Sequence, residues 1–195
     1  MHYIIAFIIG FCFGVVPFSY IIGRIKGIDL RSMGSGNIGA TNLGRSLGFP
    51  FFAAGLVLDG LKGLVPVVLV RSFAFPAALA GAGAILGHIF NPFFGFRGGK
   101  GIATTIGVAI ALMPQSFFIA LGVWIVVYFI TYFVSLASIG FACVLPLIAI
   151  ILHEGQPLDR LFLALIAVFV IYAHRSNIKR LLHNSEPKTI LWRKR

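Results

Sequence analysis

The sequence predicts an all-α fold: a polytopic membrane helix bundle of seven transmembrane helices in a single domain over residues 1–195, with the N-terminus outside and the C-terminus cytoplasmic. Three observations predict it. Hydrophobic residues make up 59% of the 195-residue chain and charged residues 11%, and mean hydropathy is +1.00; a soluble globule of this size needs far more polar surface. The apolar residues fall in runs of membrane-crossing length. The basic residues, which bring the formal charge to +11, gather on alternate connections, as they do in cytoplasmic loops. Topology thus accounts for the charge, and so apolar a chain does not read as a nucleic-acid-binding module.

The first run, 3–22, carries no small-residue cleavage pattern, so it reads as a retained helix rather than a signal peptide. At 1.5 Å per residue it crosses roughly 30 Å of hydrocarbon. The second, 50–70, holds Asp59 and Lys62 at i, i+3. Charges inside a membrane are expensive, so these two are expected to pair and to face the bundle. The third run is 74–94. Near its end stand His88 and Asn91, which either line a site or pack internally.

The fourth run, 102–113, is only about 18 Å long by the same rise, and Pro114 closes it. It is either a short crossing or a half-helix that turns back. Runs at 115–134, 136–152 and 160–174 follow, the last needing its polar end to span. Charge decides for seven crossings. With the N-terminus outside, 13 of the 16 basic residues lie inside: Arg24, Lys26, Arg31, Arg45, Arg97, Lys100, Arg175, Lys179, Arg180, Lys188, Arg193, Lys194 and Arg195. Were 102–113 to turn back, the basic tail would fall on the wrong side. Cys12 and Cys143 sit in apolar runs, so neither a disulfide nor a metal site is expected.

This topology gathers three polar segments at one membrane edge. The first contains GSGNIGATNLGR, residues 34–45. Its glycines permit close backbone approach, Ser35, Asn37, Thr41 and Asn42 offer hydrogen bonds, and Arg45 offers a fork that grips phosphate through two bonds. Read alone, it fits a tight packing loop equally well. The second is FRGGKGIATT, residues 96–105. It is not a Walker A loop, because Phe94 takes the place of the first glycine and Gly101 follows the lysine. Similar mechanics are nevertheless expected. Gly98, Gly99 and Gly101 would let backbone N–H groups point at an anion, Lys100 would add charge, and Thr104 and Thr105 would sit in the first turn of the following helix. The third is HRSNIKRLLHNSEP, residues 174–187. On a continued last helix, His174, Asn177 and Leu181 would share one face. Lys179 and Arg180 read as an anchor for anionic lipid, and Glu186 as a partner in a structural ion pair.

Together these segments resemble the three motifs of the bacterial acyl-phosphate:glycerol-3-phosphate acyltransferase family, and the resemblance covers essentially the whole chain. GSGNIGATNLGR and GHIFNPFFGFRGGKGIAT carry most of it. The resemblance implies that Ser35 and Arg45 are essential in the first motif. It implies that Gly98, Gly99 and Gly101 form the glycerol-3-phosphate loop, that His174 and Asn177 carry activity, and that Glu186 supports structure. Arg97 stands where lysine is common, and Asn184-Ser185 where Gly-Thr is usual. The implied reaction moves a fatty acyl group from acyl phosphate to glycerol-3-phosphate, giving lysophosphatidic acid at the cytoplasmic face of the bacterial inner membrane.

The residues fit that chemistry independently. An acyl phosphate has a good leaving group, so the protein need only hold two anions in line and neutralise them. No metal or cofactor is expected. The base is His174 or a substrate phosphate, and Ser35 either donates a hydrogen bond or forms a transient ester. The competing reading is a transporter of a phosphorylated small molecule. Against it stand the lack of an inverted repeat and motifs at one edge rather than at mid-membrane.

Overall fold

The computed structural model describes residues 1–190, so Arg193, Lys194 and Arg195 lie outside the described residues. Among those described, ten α-helices and one 3-10 turn account for the regular structure, with no strand. They are α1 (His2–Gly14), α2 (Phe18–Ile25), α3 (Ala40–Leu47), α4 (Phe49–Arg71), α5 (Ala77–Ile89), the turn Pro92–Phe94, α6 (Ile102–Leu112), α7 (Pro114–Thr131), α8 (Val134–Ile151), α9 (Pro157–Ala173) and α10 (Arg175–Leu182).

Five segments are long and apolar enough to cross a membrane: His2–Ile25, Phe49–Arg71, Ala77–Phe94, Pro114–Thr131 and Val134–Ile151. Helices α9 and α10, bent by 57° at their junction, make a sixth if taken as one broken span. At 11 residues α6 is shorter, and at 1.5 Å per residue it covers about half the hydrocarbon thickness.

The first run is not one straight helix. It breaks at Val15–Pro17, because Pro17 lacks an N–H and its ring crowds the preceding turn. Backbone carbonyls released at membrane depth need partners inside the protein. Asn91 Nδ2 donates to the Val15 carbonyl at 2.7 Å, and Lys62 Nζ to that of Val16 at 2.7 Å. Lys62 Nζ lies 3.0 Å from Asp59 Oδ1, and Ser19 Oγ donates to Asp59 Oδ2 at 2.6 Å. Asp59 and Lys62 are 1% and 2% exposed. The two intramembrane charges thus pair with each other, and Lys62 with Asn91 satisfies the carbonyls at the break in the first span.

Small residues set the closest helix contacts, as is usual in membranes. A methyl on Gly10 or Gly14 of α1 would strike the Ala80 or Ala84 carbonyl of α5. Likewise Gly63 of α4 meets Thr104 of α6, and Gly107 of α6 meets Gly60 of α4. The core lies where α5, α6, α8 and α9 meet, around Ile85, Val108, Met113, Phe141, Leu145 and Ile166. Ile4, Val57, Phe118, Ile130 and Val168 stay exposed and apolar, as side chains facing lipid do. The short connection between α4 and α5 returns the end of α5 to the level of the start of α4. Helix α3, the glycine loop, α10 and the chain after it converge there.

Candidate active site

A cavity of roughly 240 Å³ opens at this convergence. All three polar segments reach it: Ser35, Asn37, Thr41, Asn42 and Arg45 from the first, Lys100 and Gly101 from the second, and His174, Asn177 and Glu186 from the third. Much of the remaining lining is apolar, from Phe52 and Leu56 of α4, Ile102 and Ile106 of α6, Leu121 and Trp124 of α7, and Phe141 of α8.

Asn42 organises the first segment. Its Oδ1 accepts from the Ser35 N–H at 3.0 Å, and its Nδ2 lies 2.9, 3.0 and 2.8 Å from the carbonyls of Leu30, Met33 and Asn37. The loop closes around this amide with Gly34 and Gly36 in the left-handed region, at φ 52° and 68°, where a side chain is strained. Asn37 Oδ1 accepts from the Gly39 N–H at 3.0 Å at the start of α3. Arg45, on α3, donates from Nε and Nη2 to Thr189 Oγ1 at 2.8 and 2.6 Å.

The glycine loop departs from expectation. The N–H groups of Gly98 and Gly99 do not point at the cavity: they donate to the carbonyls of Ile89 and His88 at 2.9 and 3.0 Å. Neither glycine lines the cavity. They are small because the loop lies flat on the end of α5, where a methyl on Gly98 would strike the His88 carbonyl and one on Gly99 the His88 ring. Gly101 does line the cavity and caps α6 at φ 84°. Thr104 also departs. Helical phase turns Ile102, Ala103 and Ile106 to the cavity, while Thr104 packs, fully buried, against Gly63. Lys100 is half-buried and makes no hydrogen bond or ion pair among the described residues. Burial lowers its pKa to about 8, opposed by Glu186 and reinforced by Arg180 and Arg45.

The third segment does not continue the last helix. Helix α9 ends at Ala173, His174 occupies the bend, and α10 leaves at 57°. The bend buries His174 and Asn177, at 2% and 1% exposure, and leaves Leu181 partly exposed. His174 Nδ1 lies 2.8 Å from the Val170 carbonyl, which can only accept. The proton is therefore on Nδ1, and Nε2 is left as the acceptor. Glu186 Oε1 accepts from Asn177 Nδ2 and Ser135 Oγ, both at 2.7 Å, and Oε2 from Arg180 Nε at 2.6 Å. Burial raises the Glu186 pKa, but these three bonds and the Arg180 charge outweigh it and hold the group below the ordinary value. Arg180 is thus an ion-pair partner rather than a lipid anchor. Asn184 takes the left-handed conformation at φ 52°, which asparagine tolerates best after glycine.

Sequence reasoning missed Ser135, Ser138, Trp124 and Thr189, which lie in or beside apolar runs or in the tail with no local motif. His88, left open above, lines the cavity. Asp59, expected above to pair with Lys62, also lines the cavity. Among the described residues no group of three His, Cys, Asp or Glu is placed to hold a metal. Arg45 and Lys100 together with the apolar lining suit a molecule with an anionic head and an aliphatic chain.

A family model described as glycerol-3-phosphate acyltransferase matches residues 4–184. The glycerol-3-phosphate acyltransferase of Thermosipho melanesiensis is 42% identical over 97% of this chain and 94% of its own. Those of Aquifex aeolicus and Desulforudis audaxviator are 39% and 48% identical, over 92% and 90% of this chain and 95% and 89% of theirs. Two crystal structures of PlsY (YgiH), an integral membrane glycerol 3-phosphate acyltransferase, share the fold at 34% identity. The glycerol 3-phosphate form aligns with a TM-score of 0.90, covering 97% of this chain and 96% of that one. The lysophosphatidic acid form aligns at 0.87, covering 98% and 97%.

Proposed function

This chain belongs to the glycerol-3-phosphate acyltransferase family, and on that premise we propose that it transfers a fatty acyl group from acyl phosphate to the 1-hydroxyl of glycerol-3-phosphate. The products are lysophosphatidic acid and phosphate. The observation that carries the proposal is a cavity lined both by two cations, Arg45 and Lys100, and by an extensive apolar surface. Two phosphates need Arg45 and Lys100, and a fatty chain needs the apolar surface.

The acceptor hydroxyl attacks the acyl carbonyl carbon directly. A new C–O ester bond forms, the bond from the acyl carbon to the phosphate oxygen breaks, and the hydroxyl proton passes to the departing phosphate. Nothing in this step needs an enzyme nucleophile, because phosphate leaves readily. Ser35 and Arg45 orient the acyl phosphate, with Asn37 and Thr41 beside them. Lys100 and Gly101 hold acceptor phosphate, and Asn177 with His174 Nε2 steadies the hydroxyl. Gly98, Gly99 and Thr104 act beneath the site as scaffold. No cofactor enters this scheme.

The same reading sets the chain in a bacterial inner membrane with seven crossings, the N-terminus outside and the site at the cytoplasmic edge. That topology keeps Arg24, Lys26, Arg31, Arg97 and Arg175 on one side, and it requires the bilayer to thin locally around the short α6. The test is an acyl-transfer assay on detergent-solubilised protein with acyl phosphate, acyl-CoA or acyl carrier protein as sole donor. Product from acyl phosphate alone is expected. Robust turnover with acyl-CoA as sole donor would overturn the donor assignment.

A further inference from the structure

Arg45 stands on α3, an eight-residue helix that packs on the start of α4 through Gly44 and Leu43. A long arginine on so short a helix has many rotamers, and a cation that wanders does not hold a phosphate in line. What fixes it comes from the far end of the chain. Both Nε and Nη2 donate to the hydroxyl oxygen of Thr189, at 2.8 and 2.6 Å, across a separation of 144 positions. Two donors from one edge of the guanidinium onto one oxygen set the plane of the group.

The oxygen itself is anchored. Thr189 is buried. Its N–H donates to the Tyr132 carbonyl at 2.9 Å, and its carbonyl accepts from the Tyr128 hydroxyl at 2.9 Å. Tyr128 is buried in turn and stacks on Trp124 with ring centroids 5.0 Å apart. Trp124 belongs to the apolar lining. A continuous series of contacts therefore runs from that lining through Tyr128 and Thr189 to the Arg45 cation.

We infer that Thr189 is a positioning residue: tied by its backbone to the end of α7, it holds the Arg45 guanidinium in register with the cavity through its hydroxyl. The inference rests on the reading of Arg45 as a phosphate-orienting group. It assigns a role in the site to the chain beyond the third motif, and it predicts that the hydroxyl rather than the bulk of Thr189 matters.

Three variants separate these contributions. T189V keeps the shape and loses the hydroxyl, T189S keeps the hydroxyl and loses the methyl, and T189A loses both. Each is assayed for acyl transfer and, by calorimetry, for binding of inorganic phosphate, with wild type in parallel. Positioning requires that T189V lose about 10- to 100-fold in kcat/KM, a misplacement-sized effect, and bind phosphate more weakly. T189S should stay within about threefold of wild type, since its hydroxyl still accepts from arginine. Should T189V fail to fold, T189A against T189S carries the same comparison. A T189V variant equal to wild type in both measurements overturns the inference, and so does T189S falling as far as T189V, which indicates packing. Wild type that binds phosphate without transferring acyl groups refutes the proposed reaction, while the phosphate affinities still decide the role of Thr189.

Discussion

Asn177 donates from Nδ2 to Glu186 Oε1 at 2.7 Å, so an amide on the cavity wall is held by a carboxylate nine residues further on. The same carboxylate binds Ser135 of α8 and Arg180 of α10. Glu186→Gln keeps one oxygen to accept from Asn177 but puts an amide N–H where Oε2 accepts from Arg180, so it should leave Arg180 without its partner and destabilise the protein by about 1–3 kcal/mol. The pH dependence follows from the lowered pKa of Glu186. The unfolded chain binds its proton more readily than the folded one, so the stabilisation is complete above the ordinary value of 4.5 and is lost as pH falls through the lower folded value. Thermal melts of wild type should fall on acidification, and those of E186Q should respond less. Parallel acid limbs would show that Glu186 is not the group responsible.

Lys100 should set an alkaline limit. With its pKa lowered to about 8 by burial, the free enzyme loses this charge above that pH, and kcat/KM should fall there. Bound phosphate favours the charged form, so kcat at saturation should fall less. Lys100→Arg keeps its charge throughout this range. Its own profile should stay flat past pH 8, whatever its maximum. An unchanged alkaline limb in K100R would assign the limit to another group. Folding stability should rise between about pH 8 and the ordinary 10.5, because there the unfolded chain binds more protons.

A methyl group distinguishes the two readings of the glycine loop. If Gly99 presented its N–H to substrate, Gly99→Ala would raise KM for glycerol-3-phosphate. Since that N–H donates to the His88 carbonyl and a Cβ would strike the His88 ring, the substitution should act on stability, by about 1–3 kcal/mol of overpacking. The double variant G99A/H88A should recover part of that loss, and a double-mutant cycle measures the coupling. A normal melting temperature with a raised KM in G99A would restore the anion-loop reading.

Arg45→Lys preserves charge but removes the edge that binds Thr189 Oγ1 twice. A lysine offers one nitrogen on a flexible stem. We expect a loss of about 10²-fold in kcat/KM with an unchanged melting temperature. A nearly normal rate would reduce Arg45 to a positive charge at the membrane edge.

The runs at 50–70, 115–134 and 136–152 match α4, α7 and α8 because length and apolarity alone place a membrane helix. The break at Val15–Pro17 was harder to read, since hydropathy is blind to a backbone kink even where Pro17 supplies its cause. At the site, residue types were legible but orientations were not. Glycines around a lysine look alike whether their N–H groups face a ligand or the carbonyls of His88 and Ile89, and only the tertiary contact distinguishes the cases. Ser135 and Thr189 carry no local signal at all. They matter through partners 51 and 144 positions away, and no window along the chain brings such pairs together.

The mechanism itself turns on Ser35 and His174. Both line the cavity, and His174 keeps Nε2 as an acceptor because the Val170 carbonyl binds the proton on Nδ1. If His174 activated Ser35 as a nucleophile, kinetics would be ping-pong and either alanine variant would remove the intermediate. In direct transfer the departing phosphate takes the proton, and His174 only steadies the acceptor. His174→Ala should then lower the rate by less than the roughly 10²–10⁴-fold that loss of a general base brings. Trapping distinguishes the routes most sharply. Labelled acyl phosphate mixed with enzyme and no acceptor should leave no label on the denatured protein. Ser35→Ala should weaken the use of acyl phosphate without changing that result, because in direct transfer the serine hydroxyl would only donate a hydrogen bond. An acyl group recovered on Ser35 would replace direct transfer with a two-step route through the serine ester and would make His174 its base.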